Sequence, residues 1–251
     1  MISSLPMYDR PETAGANDRL WQAIRQFLSE QGIKAPKSLN RDGDVWAHWQ
    51  NPELIFSQTC SLPFRKRLSD HVHIIGAGDH HLEGCPAGTY RSVIIANVQN
   101  PISEIGKGDE VLLAYNEAIS QSGWAAIHQH ALEVGFNVIP AKKTGAHRAT
   151  AQTVAENPEM IGAIDAVTWA MICEWDDIVL NLKVIGQTSP TPALPFVTGQ
   201  KDLVGPLRNA VKLAISGLSD DDRKALRLFD LVDVPQENYL ALSMPPSIKG
   251  E

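Results

Sequence analysis

"LLAYNEAISQSGWAAIHQHALEVG" (residues 112–135) changes character in its middle. An apolar run, Leu112 to Tyr115, gives way to Asn116, Glu117, Ser120, Gln121, Ser122 and Gly123, and a helix-like pattern starts at Trp124. A buried strand, a polar turn and a helix in succession are the building block of an α/β fold. In such a fold the loop leaving the carboxyl end of a strand lies at the ligand-binding edge of the sheet. Backbone N–H groups there are unpaired, and the helix dipole favours negative charge. Ser120 and Ser122 add hydroxyls, while Gly123 lets the backbone come close to an oxyanion. Taken alone, the loop also has a simpler account, in which Ser122 caps the helix and Asn116 stabilises a turn.

The same alternation extends in both directions. Strands are predicted over 2–8, 53–59, 71–78 and 90–97, and a helix over 17–32 with Asn17 as its cap and Leu20, Ile24, Phe27 and Leu28 on one face. Strand, helix, strand, helix, strand and helix follow from 110 to 175, then a strand over 180–188. A Pro-rich stretch and two helices, 202–217 and 219–231, complete the pattern. Alternation of this kind predicts an α/β fold with mixed or mainly parallel sheets. Two βα blocks with a loop-rich crossing at 97–109 predict two lobes. One comprises 1–95 and 186–251, the other 96–185, with two crossings acting as a hinge beside a central cleft.

Composition bounds the function. The chain has 251 residues, 43% apolar and 20% charged, enough to bury a sizeable core and unlike a disordered segment. A net charge of −7 argues against a nucleic-acid surface, and the longest basic run is "FRKR" (64–67). No apolar stretch is long enough to span a bilayer, so no membrane insertion is expected. The N-terminus has neither a basic n-region nor an apolar h-region. The expected location is therefore cytoplasmic if the chain is full length, and periplasmic if a signal peptide was removed. Cys60, Cys85 and Cys173 match no zinc spacing; buried thiols are the simplest reading, and a Cys60–Cys85 bridge is an alternative.

Five further junctions resemble the opening loop. Ser57, Gln58 and Thr59 follow an apolar strand. Tyr90 and Ser92 alternate on one strand face after a glycine-rich turn. Gly145 and His147 sit at another strand-to-helix junction; Asp165 ends a strand and Thr168 opens a helix; Tyr8 and Asp9 follow the first strand. Each has a capping explanation when taken singly. Six in one chain imply a cleft lined from both sides by hydroxyls, amides, an imidazole and a carboxylate, a lining suited to a small polar ligand with oxyanion character.

These residues carry a resemblance to the substrate-binding proteins of phosphate, phosphite and phosphonate ABC transporters. It runs from "SLPMYD" to about "LPFVTG" and includes the tyrosine after the first strand, the "SQT" loop, "GTYRS", "SQSG", "GAH" and "AIDAVTW". The resemblance implies the type 2 periplasmic-binding-protein architecture, two α/β lobes closing on a ligand. It also implies that the "SQSG" loop binds phosphonate oxygens and that His147 and Asp165 contact the ligand. Gln121 stands where relatives often carry a small hydroxyl residue, and Glu117 places a negative charge near the proposed oxyanion site.

The ligand-binding set expected on these grounds is Tyr8, Ser57, Gln58, Thr59, Tyr90, Ser92, Asn116, Ser120, Gln121, Ser122, Gly123, His147, Asp165 and Thr168. The expected ligand is a small anion, a phosphonate, a phosphate or a similar group. The expected partner is an ABC transporter or a signalling protein, and neither a cofactor nor a metal is expected. Two alternatives stay open. One is a cytoplasmic lyase or hydrolase with His147 and Asp165 as an acid–base pair; the other is a ligand-sensing interaction protein. The run His71, His73, Asp79, His80, His81, Glu83 and Cys85 carries metal-ligand chemistry in a spacing that matches no metal motif.

Overall fold

The computed structural model describes residues 1–248. The chain begins with β1 (Ile2–Ser3), α1 (Pro11–Glu30), α2 (Val45–Trp49), β2 (Leu54–Gln58), α3 (Ser61–Pro63) and β3 (His73–Asp79). Then come β4 (Thr89–Tyr90), β5 (Ser92–Asn97), β6 (Glu110–Tyr115), α4 (Ala126–Val134), β7 (Asn137–Lys143), α5 (His147–Glu156), β8 (Met160–Asp165) and α6 (Ala166–Trp175). The path continues through β9 (Leu182–Gln187), β10 (Thr191–Pro192), β11 (Pro195–Thr198), α7 (Val204–Ser216), α8 (Asp220–Leu226), β12 (Asp230–Val232) and α9 (Gln236–Leu240).

Two compact units result, 1–89 with 192–241, and 90–191 with 242–248. The first is built on a five-stranded sheet in the order β1-β2-β11-β3-β12, with β1 and β2 parallel and β11 and β12 antiparallel to β3. The helix α1 begins six residues before the predicted start. Pro11 supplies the preset φ at the first helical position and Glu12 complements the dipole, whereas Asn17 lies inside the helix and donates to Asp9 Oδ1 at 2.9 Å. Its buried stripe of Leu20, Trp21, Ile24 and Leu28 joins Phe56, Phe196 and the inner face of α7 in one core. Trp21 stacks on Phe56 at 5.9 Å, and Phe56 on Phe196 at 5.3 Å.

The second unit has a five-stranded sheet in the order β7-β6-β8-β5-β9. Strands β6, β7 and β8 are parallel, and β5 runs antiparallel to both of its neighbours. Ile94, Leu113, Ile161 and Ala163 from the sheet pack with Trp124, Ile127 and Ala131. The helix α4 stops at Gly135, whose φ of 91° is the left-handed cap glycine adopts without cost.

The expected boundaries at 95/96 and 185/186 fall inside β5 and β9. These strands pair with one another through Val93–Gln187 to Asn97–Leu182, so both belong wholly to the second unit. A third crossing also exists, because residues 242–248 return to the second unit. There Trp124 Nε1 donates to Pro246 O at 2.9 Å, and Ile248 packs on the core. The helix predicted over 219–231 ends at Leu226, where Arg227 turns left-handed at φ 49°, and the chain continues as β12. No disulfide joins Cys60 to Cys85, so that alternative falls away. Among the described residues no helix is long and apolar enough to cross a membrane.

Candidate functional site

The loop after β6 reaches its helix through a widened π-helical turn, Gln121–Ala125, rather than through a regular first turn. Ser120 is the cap: its backbone is extended and its Oγ accepts from Gly123 N at 3.0 Å. Ala125 N donates back to Ser120 O at 3.1 Å, so the entrance is a wide turn at the positive end of the helix dipole, a place suited to an anion. Beneath the turn, Ser92 Oγ donates to Ser122 O at 2.9 Å, tying β5 to the loop. Ser120, Gln121 and Ser122 are all buried.

Ser122 Oγ lies 2.7 Å from His147 Nε2. The register of β6 with β7 explains how these residues meet. Tyr115 pairs with Lys143, and the pairing extends past both strands as Thr144 N donates to Tyr115 O and Gly145 N to Asn116 O. That carries His147, the first residue of α5, to the serine. Burial pushes the His147 imidazole down to about 4, so the ring is neutral at pH 7. Its Nδ1 is enclosed and meets no protein partner. In the Nε2–H tautomer the ring donates to Ser122 Oγ and leaves the serine proton free, and in the Nδ1–H tautomer the serine donates to Nε2.

Asn116 closes the other side. A Cβ built on Gly123 would fall 1.9 Å from Asn116 Oδ1 and 3.4 Å from His147 Cε1, so only glycine permits this approach. Asn116 Oδ1 is itself buried without a protein partner. The turn is therefore ringed by Asn116, Ser120, Ser122, Gly123 and His147. Asp165 joins through the sheet, since β5 and β8 place Ser92 opposite Asp165. Its Oδ1 accepts from Val167 N at 2.8 Å and Thr168 N at 3.0 Å, capping α6. Thr168 thus takes part through its backbone, and Tyr90 is buried in the short strand just before β5. Asp165→Ala is expected to cost about 0.5–2 kcal/mol from the lost cap, read as a lower midpoint in thermal unfolding.

One residue was missed by sequence reasoning. Glu117 forms an ion pair with Lys143 at 2.8 Å, which offsets the carboxylate that stood as an obstacle beside an oxyanion. The "KK" ending β7 was the available signal, but only the strand register brings it to Glu117.

In the first unit, Ser57, Gln58 and Thr59 lie at the carboxyl end of β2 and are buried. Ser57 Oγ bonds Ser4 Oγ at 2.9 Å, and Gln58 Nε2 donates to Leu194 O at 3.4 Å. Thr59 N donates to Pro195 O at 3.1 Å. Tyr8 and Gln58 line one small cavity together with His80. The histidine-rich run disperses: His80 Nδ1 bonds Arg227 O, and His81 pairs with Asp79 and stacks on Phe229. Among the described residues no group of three or more His, Cys, Asp and Glu side chains is placed to hold a metal ion.

Two α/β units, each a mixed five-stranded sheet flanked by helices, with polar strand-to-helix junctions, define the chain as a protein of the periplasmic-binding-protein fold. It belongs to the phosphonate-binding family: the model described as "ABC transporter, phosphonate, periplasmic substrate-binding protein" matches residues 75–234. The fold is similar to PhnD1 from Prochlorococcus marinus in complex with methylphosphonate, at TM-score 0.68 and 15% identity over 95% of this chain and 94% of that one. It is also similar to a binding protein component of an ABC phosphonate transporter from Pseudomonas aeruginosa (TM-score 0.65, 14% identity, 95% and 82% covered). A Xanthomonas citri protein bound to ATP is a further neighbour (TM-score 0.64, 13% identity, 96% and 94% covered). No curated protein sequence matches the chain.

Proposed function

We propose that this chain is a solute-binding protein that takes up a small oxyanion of the phosphonate or phosphate type and hands it to an ABC transporter. The observation that carries the reading is the Ser122–His147 pair at the helix entrance, 2.7 Å apart and set against Gly123 and Asn116. It puts a neutral hydroxyl–imidazole pair and the positive end of a helix dipole at one place, a combination suited to an oxyanion. The ion pair of Glu117 with Lys143 removes the main electrostatic objection. Membership of the phosphonate-binding family supports both the ligand class and the transporter partner. Ser120, Gln121, Asp165 and Thr168 of the same unit complete the proposed ligand set, and Tyr8, Gln58 and Thr59 are a separate candidate set within the first unit. Ser92 serves it by tying β5 to the loop through Ser122 O, Ser57 ties β2 to Ser4 within the first unit, and Tyr90 remains a candidate contact.

A hydrolytic reading of the Ser–His pair is disfavoured by the same geometry. A serine nucleophile works with a histidine whose second nitrogen is held by an acceptor, and His147 Nδ1 has none among the described residues. Titration calorimetry against phosphate, phosphite, alkylphosphonates, aminoalkylphosphonates, sulfonates and carboxylates tests the proposal. Heat is expected with at least one phosphorus oxyanion; silence across the panel rejects it. Ser122→Ala should weaken the best ligand by about 1.5–3 kcal/mol, roughly 10- to 150-fold, by removing one donor to a charged acceptor. Unaltered affinity in a folded Ser122→Ala protein would remove this serine from the site.

A further inference from the structure

The turn that carries Ser122 and Gly123 is held by a segment far away in the sequence. Its widened form rests on the bond from Ala125 N to Ser120 O, which reaches five residues back where a regular helix reaches four. Wide turns of this kind are rare, and a regular turn would relocate Ser122 relative to His147. Contacts from outside the turn must therefore favour the wide form. Ser92 Oγ supplies one at Ser122 O. Trp124 supplies another: its ring is 1% exposed and packs on Tyr115 at 4.9 Å and on His128 at 4.2 Å. Its Nε1 donates to Pro246 O at 2.9 Å, 122 residues further along.

The segment that accepts this bond is built to dock without being locked. Residues 243–248 form neither helix nor strand, and Ile248 packs on the core cluster that contains Trp124. Pro245 and Pro246 fix their own φ, so the segment loses less entropy on docking than a flexible tail would. With no helix or sheet ladder around it, it opens at a lower free energy than the core does.

We propose that residues 242–248 are a strap that holds the turn in its widened form, and that Trp124 is the positioning residue through which the strap acts. The proposal rests on the oxyanion reading of that turn. When the strap lifts, the buried indole N–H loses its acceptor, and the ring moves to recover one, taking the backbone of Gly123 and Ser122 with it. Strap docking and anion affinity are then linked, and each strengthens the other by the same factor.

Calorimetry on the full chain with methylphosphonate and with inorganic phosphate tests the link. Ile248→Ser and Trp124→Phe should each weaken the tighter anion by about 3- to 10-fold, while Ile248→Val stays within about twofold. The two losses should not add in the double variant, because the strap acts through the indole; additive losses would overturn the proposal. Should Trp124→Phe fail to fold, hydrogen exchange decides. Gly123 N and Ala125 N both bond to Ser120, so their exchange reports the turn without any ligand. Ile248→Ser should quicken both several-fold and leave the central strand β8 unchanged; unaltered exchange in the turn would sink the strap whatever the ligand. In the wild type the bound anion should slow exchange at Ser247 and Ile248. Silence of the wild type toward both anions, with quickened exchange in Ile248→Ser, would instead strike the oxyanion reading and support the strap's hold on the turn.

Discussion

Gly123→Ala is expected to weaken oxyanion binding by about 10- to 100-fold, the largest loss from any single methyl group in the second unit. The added carbon would meet Asn116 Oδ1 at 1.9 Å, far inside contact distance. Either Asn116 swings away, which takes its amide from the ring of groups around the turn, or the widened turn shifts, which moves Ser122 relative to His147. Overpacking of this kind costs about 1–3 kcal/mol, and 1.4 kcal/mol is tenfold in affinity. Calorimetry and thermal unfolding on the same variant separate the two costs. Adding Asn116→Ala makes room for the methyl group, so the double variant should recover thermal stability while binding stays weak. Full affinity in Gly123→Ala alone would mean that the Asn116–Gly123 approach lies outside the site.

Acidification from about pH 6.5 to pH 4 should destabilise the second unit. His147 and His128 are both pushed down to about 4 by burial, from an ordinary value of 6.5. In that window the unfolded chain binds more protons than the folded one. The stability these neutral rings contribute is therefore full above 6.5 and is lost as pH falls toward 4. A shift of this size corresponds to about 3 kcal/mol per ring, and solvent screening of side chains that are only half-buried lowers the expectation to about 1–2 kcal/mol each. Urea unfolding followed by tryptophan fluorescence at several pH values checks the slope. His147→Gln should flatten part of it, and a pH-independent midpoint for the wild type would contradict the burial of both rings.

Much of this architecture was legible in the residues because local pattern and tertiary packing agree. The run from Leu112 to Gly135 gives strand, turn and helix in the order observed, and Gly135 stops the helix as its position suggests. The serines of "SQSG" were readable as a helix entrance because capping chemistry is local. What was not readable depends on register. Whether Ser122 meets His147 or Lys143 meets Glu117 is decided by β6 pairing with β7, which no single-segment pattern reports. The early start of α1 was masked by "PETAGA", where Pro11 favours a helix start while Gly15 argues against a helix interior. Three-residue β12 and five-residue α9 are too short to produce a periodic signal. The division at 89/90 rather than 95/96 turns on β5 pairing with β9, again a long-range fact.

The hydrogen bond from Trp124 to Pro246 has a consequence for dissecting the protein. The second unit is not an insertion that can be excised as one piece, since a fragment spanning 90–191 leaves out Pro246 and Ile248. Such a fragment would bury an indole N–H with no acceptor directly behind the serine turn and would open the core where Ile248 packs. An autonomous version needs residues 242–248 grafted back, either as a covalent extension or as a peptide supplied in trans. Residues 242–248 thus belong to the second unit, although the helix just before them belongs to the first.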